Sequence, residues 1–201
     1  FSDILLIPYA LGQSIEFEKN YGPKLGELNL DSILNTTDKE ALKRLNPIYE
    51  LIKITSKEKI LNNKDLIGFV GGTWTLLLYM INRKSPKQEL DKNIYNKPEY
   101  DQLIKKIIHL QKLHIKKQVE HGARIIQIFD SWAGLLDQGN IEKYIYEPLK
   151  LNIKLIFAQK EAERRAQKAE SRELKYARRA QMAEHAKNQA LRELKKTQTQ
   201  L

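Results

Sequence analysis

KPEYDQLIKKIIHLQKLHIKKQVEHGARIIQIFDSW, residues 97–132, holds a helix, its stop signal and a strand in one run. Tyr100, Leu103, Ile104, Ile107, Ile108 and Val119 recur at three- and four-residue spacing, whereas Lys105, Lys106, Lys112, Lys116 and Lys117 fall largely off that stripe. Such a pattern predicts an amphipathic helix over Pro98–His121. Pro98 suits the first turn, where its missing N–H costs nothing, and Gly122 suits the stop. Arg124–Phe129 then reads as a strand.

Upstream, Leu66–Val70 is a second short apolar run, closed by Gly71-Gly72, and Thr73–Ile81 reads as a mostly buried helix. Two strands separated by a long helix predict a parallel β/α unit, because parallel pairing needs a crossover of that length. In β/α folds, ligands sit at the carboxyl ends of the strands. Gly71, Gly72 and Thr73 lie at one such end, and Asp130, Ser131 and Trp132 at the other. These residues either form a site or simply turn the chain.

The N-terminal region is less regular. Ile4–Leu11 is apolar and β-branched before Gly12, and reads as a buried strand feeding a loop. Gln13–Asn35, with Gly22-Pro23 and Gly26, reads as irregular or edge structure. Asp38 is expected to cap a short helix over Lys39–Leu45, broken at Pro47, and Ile48–Lys59 forms a further helix.

Residues 158–201 differ in kind. They contain neither Gly nor Pro and are rich in Ala, Glu, Gln, Lys and Arg, all strong helix formers. Leu174, Met182, Leu191 and Leu194 are too sparse for a sustained heptad. Arg164, Arg165, Arg178 and Arg179 are potential phosphate contacts, although no aromatic interleaving accompanies them. A solvated helical extension is the first reading, helix–helix association the second and nucleic-acid contact the third.

Composition sets outer bounds. The 201 residues are 41% hydrophobic with mean hydropathy −0.56, enough for one domain with an appendage. Runs such as Ile4–Ile7 and Thr75–Ile81 fall far short of the roughly 20 apolar residues that span a bilayer. The first residues lack the basic start of a signal peptide, and the chain does not begin with Met, so preceding sequence is expected. The absence of cysteine excludes disulfides, thiolate nucleophiles and Cys-based metal sites, and a reducing, cytoplasmic setting is expected. The net charge of +10 is uneven: residues 158–201 carry 12 Lys+Arg against 6 Asp+Glu. The remainder is only mildly basic.

Among candidate chemical groups, Asp3 precedes the first apolar run and can accept hydrogen bonds or steady a developing cation, unless it merely caps. Tyr79 can place a phenol against a carboxylate or pyrrole, unless it packs in the core. Ser131 can donate to an anion. His109, His114, His121 and His185 are dispersed, so no metal site is expected. Neither GxGxxG nor GxxxxGK[ST] occurs, which leaves no signal for a dinucleotide site or a P-loop.

FSDILLIPYALG (1–12), GFVGGTWTLLLYM (68–80) and GARIIQIFDSWAGLL (122–136) together resemble, in order and spacing, three signature stretches of the uroporphyrinogen decarboxylase family. The resemblance covers about residues 1–155. It implies a (β/α)8 barrel, usually homodimeric, acting in haem and porphyrin biosynthesis. The implied reaction converts uroporphyrinogen III to coproporphyrinogen III, releasing four acetate carboxyl groups as CO2 without metal or organic cofactor. It maps the family's central aspartate, which gathers the pyrrole N–H groups, onto Asp3. The tyrosine near the reacting acetate maps onto Tyr79, the propionate-contacting serine onto Ser131, and a cleft aromatic onto Phe69. Asp3 and Tyr79 are thus the expected catalytic residues, with Phe69 and Ser131 completing substrate binding.

Departures from the family pattern accompany the match. The arginine-rich segment resembling RQAGRY, expected before Asp3, is missing, as are the later strands and a C-terminal histidine. Gly72-Thr73 stands where the family has Ala-Pro, and Asn82-Arg83 where it has Glu-Gly. A closed barrel takes about 250 residues. The expected architecture is therefore α/β: a partial (β/α)8 barrel over residues 1–155, followed by an Ala/Arg/Glu-rich helical extension over 156–201. Compromised activity is expected of the chain alone. A corrinoid-linked methyltransferase, related to the same barrel family, is disfavoured because its zinc site needs cysteine. A second alternative is a non-catalytic interaction or RNA-binding protein built on a barrel fragment with a basic helix, and a third is a structural fragment with no function of its own.

Overall fold

The computed structural model describes residues 4–18, 22–61, 63–85, 97–153, 165–179, 181, 182 and 184. Asp3, the expected central carboxylate, lies outside the described residues. The chain divides into two units, Phe1–Leu155 and Ile156–Leu201.

At the heart of the first unit, β3 (Ile67–Gly71) pairs in parallel with β4 (Ile125–Phe129), in the register Ile67↔Ile125 through Gly71↔Phe129. Between them run α4 (Thr73–Asn82) and α5 (Glu99–Glu120), as the spacing predicts. Gly122 ends α5 at φ +118°, and a Cβ there would meet the Ser56 side chain at 2.5 Å. Glycine is therefore required at that stop on two counts.

The buried face of α5 contains three polar residues that the periodicity does not announce: Gln111, His114 and Gln118. Gln118 Nε2 donates to Phe69 O and its Oε1 accepts from Phe69 N, both at 3.0 Å. Gln111 Nε2 donates to Gly71 O at 2.7 Å, and its Oε1 accepts from Thr73 Oγ1 at 2.8 Å. Two amides seven residues apart on one helix thus satisfy the β3 edge that faces away from β4. Unpaired buried peptide groups would otherwise cost about 1–3 kcal/mol each. His114 Nδ1 lies 3.1 Å from the Tyr49 hydroxyl, and burial lowers its pKa to about 4. Burial, helped by the charge of Glu120, raises the Tyr49 phenol well above its ordinary value.

Three N-terminal expectations are corrected. Ile4–Leu11 is not a strand: its centre is a short helix, α1 (Leu6–Ala10). Ile7, Ala10 and Leu11 are buried and Tyr9 is exposed, a three-to-four-residue spacing that strand alternation cannot provide. Pro8 falls in the first turn, where no helical N–H is needed. Arg44 donates to Ala10 O at 2.7 Å and so satisfies one terminal carbonyl. Next, the stretch read as irregular or edge structure is more regular than that: it contains an antiparallel pair, β1 (Ile15–Glu18) with β2 (Gly22–Leu25), and α2 (Leu30–Asn35).

Finally, α3 (Asp38–Thr55) runs unbroken through Pro47, where a stop was expected. Its N-cap is Thr37, one residue before the expected Asp38, in a reciprocal capping box with Glu40. Proline inside a helix costs about 3 kcal/mol. Burial of Ala41, Leu45 and Tyr49, each four residues apart, holds α3 in place against that cost.

After β4 the chain makes a short 3-10 turn, Ala133–Leu135. Asp137 then caps α6 (Gln138–Ile141), which continues as a π-helical segment, Glu142–Tyr146, and as helix through residue 153. Tyr144 packs its ring against Trp74, with centroids 5.3 Å apart. The architecture is α/β. The two two-stranded sheets close no barrel among the described residues, so the unit is an incomplete barrel. In the second unit, α7 is a helix over 165–179 whose residues are all exposed.

Candidate active site

The carboxyl ends of β3 and β4 lie side by side because the pairing is parallel and in register. Both signature turns, Gly71–Thr73 and Asp130–Trp132, therefore emerge at one end of the pair.

A single carboxylate ties those turns together. Asp130 Oδ1 accepts from Thr75 N at 2.9 Å and from Thr75 Oγ1 at 2.6 Å. Gly72, the N-cap residue of α4, has no side chain with which to cap. Asp130 reaches across from β4 and takes that role for the third helical N–H. The Thr75 hydroxyl also accepts from Trp132 N at 3.2 Å, and Trp74 Nε1 donates to Trp132 O at 2.9 Å. Gly72 N donates to Phe129 O at 2.6 Å. A Cβ on Gly72 would come within 2.4 Å of Asp130 Cγ, so the close approach of turn and carboxylate requires glycine at this position.

Burial raises the Asp130 pKa above its ordinary value, against the opposing pull of the two Thr75 hydrogen bonds. The indole Nε1–H of Trp132 is buried and has no acceptor among the described residues. A carboxyl with raised proton affinity and an unspent donor thus flank the strand ends. The sequence pattern puts both residues at a strand end and gives neither a role. Their partners are 55 to 58 residues away in the chain, beyond the reach of any local pattern.

The other expected residues occupy distinct positions. Phe69 is half-buried on β3 and meets Phe129 edge-on, with centroids 5.8 Å apart. Strand alternation puts both rings on one face, with Ile67 and Ile125. The opposite face carries Gly68 and Val70, both buried. Ser131 is exposed in the turn after β4. Tyr79 lies in α4 and keeps 9% of its surface, while its neighbours Leu76, Leu77, Leu78 and Met80 keep 1% or less. Ile4, which follows Asp3 in the chain, has its carbonyl oxygen 2.8 Å from where a Cβ on Gly71 would stand. Among the described residues no group of His, Asp and Glu is placed to hold a metal ion.

Comparison with known proteins extends this picture. Uroporphyrinogen decarboxylase from Campylobacter jejuni is 39% identical over 142 residues, which are 68% of this chain and 42% of that protein. The enzyme of the same name from Rickettsia bellii is 38% identical over 160 residues, 78% of this chain and 46% of that protein. The chain therefore spans less than half the length of these relatives. Among solved structures, a methyltransferase from Methanosarcina mazei superposes with a TM-score of 0.59 at 19% identity, covering 76% of this chain and 46% of that one. That likeness is one of fold. The family model described as uroporphyrinogen decarboxylase (URO-D) matches residues 1–196, reaching past the residues 1–155 that carry the signature stretches. With three signature stretches, two of them meeting at the paired strand ends, and a family match over most of its length, the chain belongs to the uroporphyrinogen decarboxylase family.

Proposed function

We propose that the protein to which this chain belongs decarboxylates uroporphyrinogen III to coproporphyrinogen III, and that this chain supplies part of the substrate cleft. The observation that carries the reading is the convergence of the Gly71–Thr73 and Asp130–Trp132 turns at one end of the parallel pair. Asp3 acts as the central carboxylate, Tyr79 sits beside the reacting acetate, Phe69 packs against the macrocycle and Ser131 donates to a propionate.

The chemistry accounts for the residue types. Loss of CO2 from an acetate on a pyrrole leaves an electron pair that needs a sink. Protonation of the adjacent ring carbon makes the pyrrole that sink, the C–C bond to the carboxylate then breaks with its electrons flowing into the ring, and protonation of the resulting methylene with loss of the ring-carbon proton leaves a methyl group on a restored pyrrole. A fixed carboxylate near the pyrrole nitrogens favours the cationic intermediate over the neutral substrate. The arginines needed by a polyanionic substrate would come from the rest of the barrel, as would a homodimer contact.

The test is a chimera in which the matched segment of the Campylobacter jejuni enzyme is replaced by the corresponding residues of this chain. Anaerobic turnover of uroporphyrinogen is expected, with Asp3→Asn lowering kcat by about 100-fold or more. A folded chimera that binds uroporphyrinogen without releasing CO2, or one indifferent to Asp3→Asn, would overturn the reading.

A further inference from the structure

The helix α7 sorts its charges by face. Lys168, Arg172, Lys175 and Arg179 follow one another at spacings of four, three and four, and Arg165 opens the same register. At 3.6 residues per turn this places all five within an arc of about 80°, and the last four extend over about 16 Å of helix axis. Glu170 falls about 180° and Glu173 about 120° from the centre of that arc. Neither has a cation three or four residues distant, so these two carboxylates are not spaced to pair with Lys168, Arg172, Lys175 or Arg179. Lys168, Arg172, Lys175 and Arg179 are all exposed, and none is in an ion pair with another described residue.

A cationic stripe of this form excludes two partners. The seam of a coiled coil is apolar at three-four spacing, and here that register is filled with positive charge. A helix lying in a membrane surface needs a broad apolar face. Leu174 and Tyr176, both exposed, fall on separate sides of α7. What fits is a regular linear polyanion. Exposed Tyr176 adds a ring beside the stripe, four residues after Arg172 and three before Arg179, where a base can stack.

We propose that α7 is a docking face for the sugar–phosphate backbone of nucleic acid, with contact through Lys168, Arg172, Lys175 and Arg179. The inference is independent of the decarboxylase reading. Binding is electrostatic and without base readout, so it follows counterion release. Four phosphate contacts give a slope of log K against log salt of about −2.8 for a single strand and about −3.6 for a duplex.

The experiment is fluorescence anisotropy of the full chain with labelled oligouridylate and with a DNA duplex, each about 20 nucleotides or base pairs long, across the 50–200 mM salt range over which such contacts lose affinity. Vesicles containing phosphatidylserine serve as a third probe. Each single change, such as Arg172→Gln, is expected to reduce the slope by about 1, and the quadruple change K168Q/R172Q/K175Q/R179Q to remove the salt-dependent binding. E170Q/E173Q, on the other face, leaves it intact. Helicity by circular dichroism checks that Gln, a good helix former, preserves α7. A loss on Tyr176→Ala confined to the single strand assigns single-stranded nucleic acid, and equal behaviour of both probes assigns the shared backbone. An unchanged slope in single and quadruple variants would overturn the proposal. So would binding to the vesicles with none to either nucleic acid.

Discussion

The parallel unit β3–α4–α5–β4 and the helix α7 are opposite solutions for a helix-rich sequence. In the first, α4 is buried on nearly every side, and its N-terminus is held by a carboxylate from a strand 55 residues away. In the second, every residue of 165–179 is exposed, and helix formation rests on the propensity of Ala, Glu, Gln, Lys and Arg. The parallel unit owes its shape to tertiary contacts, and single atoms matter there. The tail owes its shape to local preference, and only its charge pattern carries information.

The largest expected effect that separates the two lies at Gly72. Gly72→Ala drives a methyl into the Asp130 carboxylate and should cost about 3 kcal/mol, read as a lower urea midpoint. A change below about 0.5 kcal/mol would show that β3 and β4 separate easily. Nearly as large is the dependence on acid. His114 has a folded pKa of about 4, below its ordinary 6.5, so the unfolded chain takes up the proton first as pH falls. Its full stabilising contribution is present above pH 6.5 and is lost between 6.5 and about 4, amounting to about 3 kcal/mol. Urea midpoints across that interval should fall in the wild type and fall less in His114→Gln.

A smaller effect is expected of Thr75→Val, which removes the hydroxyl between Asp130 Oδ1 and Trp132 N. About 2 kcal/mol should be lost, and the Asp130 carboxyl should titrate at higher pH, since the Thr75 bonds hold it down. Carboxyl chemical shifts followed by NMR would show this, and an unmoved titration would mean that burial alone sets its acidity. The smallest effect belongs to the tail. Leu174→Ala should change stability by less than about 0.5 kcal/mol, because an exposed leucine loses no packing. A loss of 2 kcal/mol there would erase the contrast between the two regions.

Legibility follows the same division. The helix α5, the two strands and α4 were readable because periodicity, glycine stops and proline starts are local. The strand expected over Ile4–Leu11 failed because a short apolar run fits either element, and only the burial of Ile7, Ala10 and Leu11 chooses helix. The break expected at Pro47 failed because packing along Ala41, Leu45 and Tyr49 outweighs the missing hydrogen bond. Tyr176 gives no interleaved pattern along the chain, because its place beside the cationic stripe exists only around the helix.

By itself, then, the amino-acid sequence determined the α/β class, the parallel unit, the family and the helical character of the tail, since each rests on pattern, spacing or composition within a short span. Only the tertiary structure decided that Gln111 and Gln118 complete the edge of β3, that Asp130 caps α4 through Thr75, and that Gly72 must lack a side chain. Those roles belong to pairs of groups brought within hydrogen-bond reach by folding, and a hydrogen bond acts over a distance that chain separation neither encodes nor reveals.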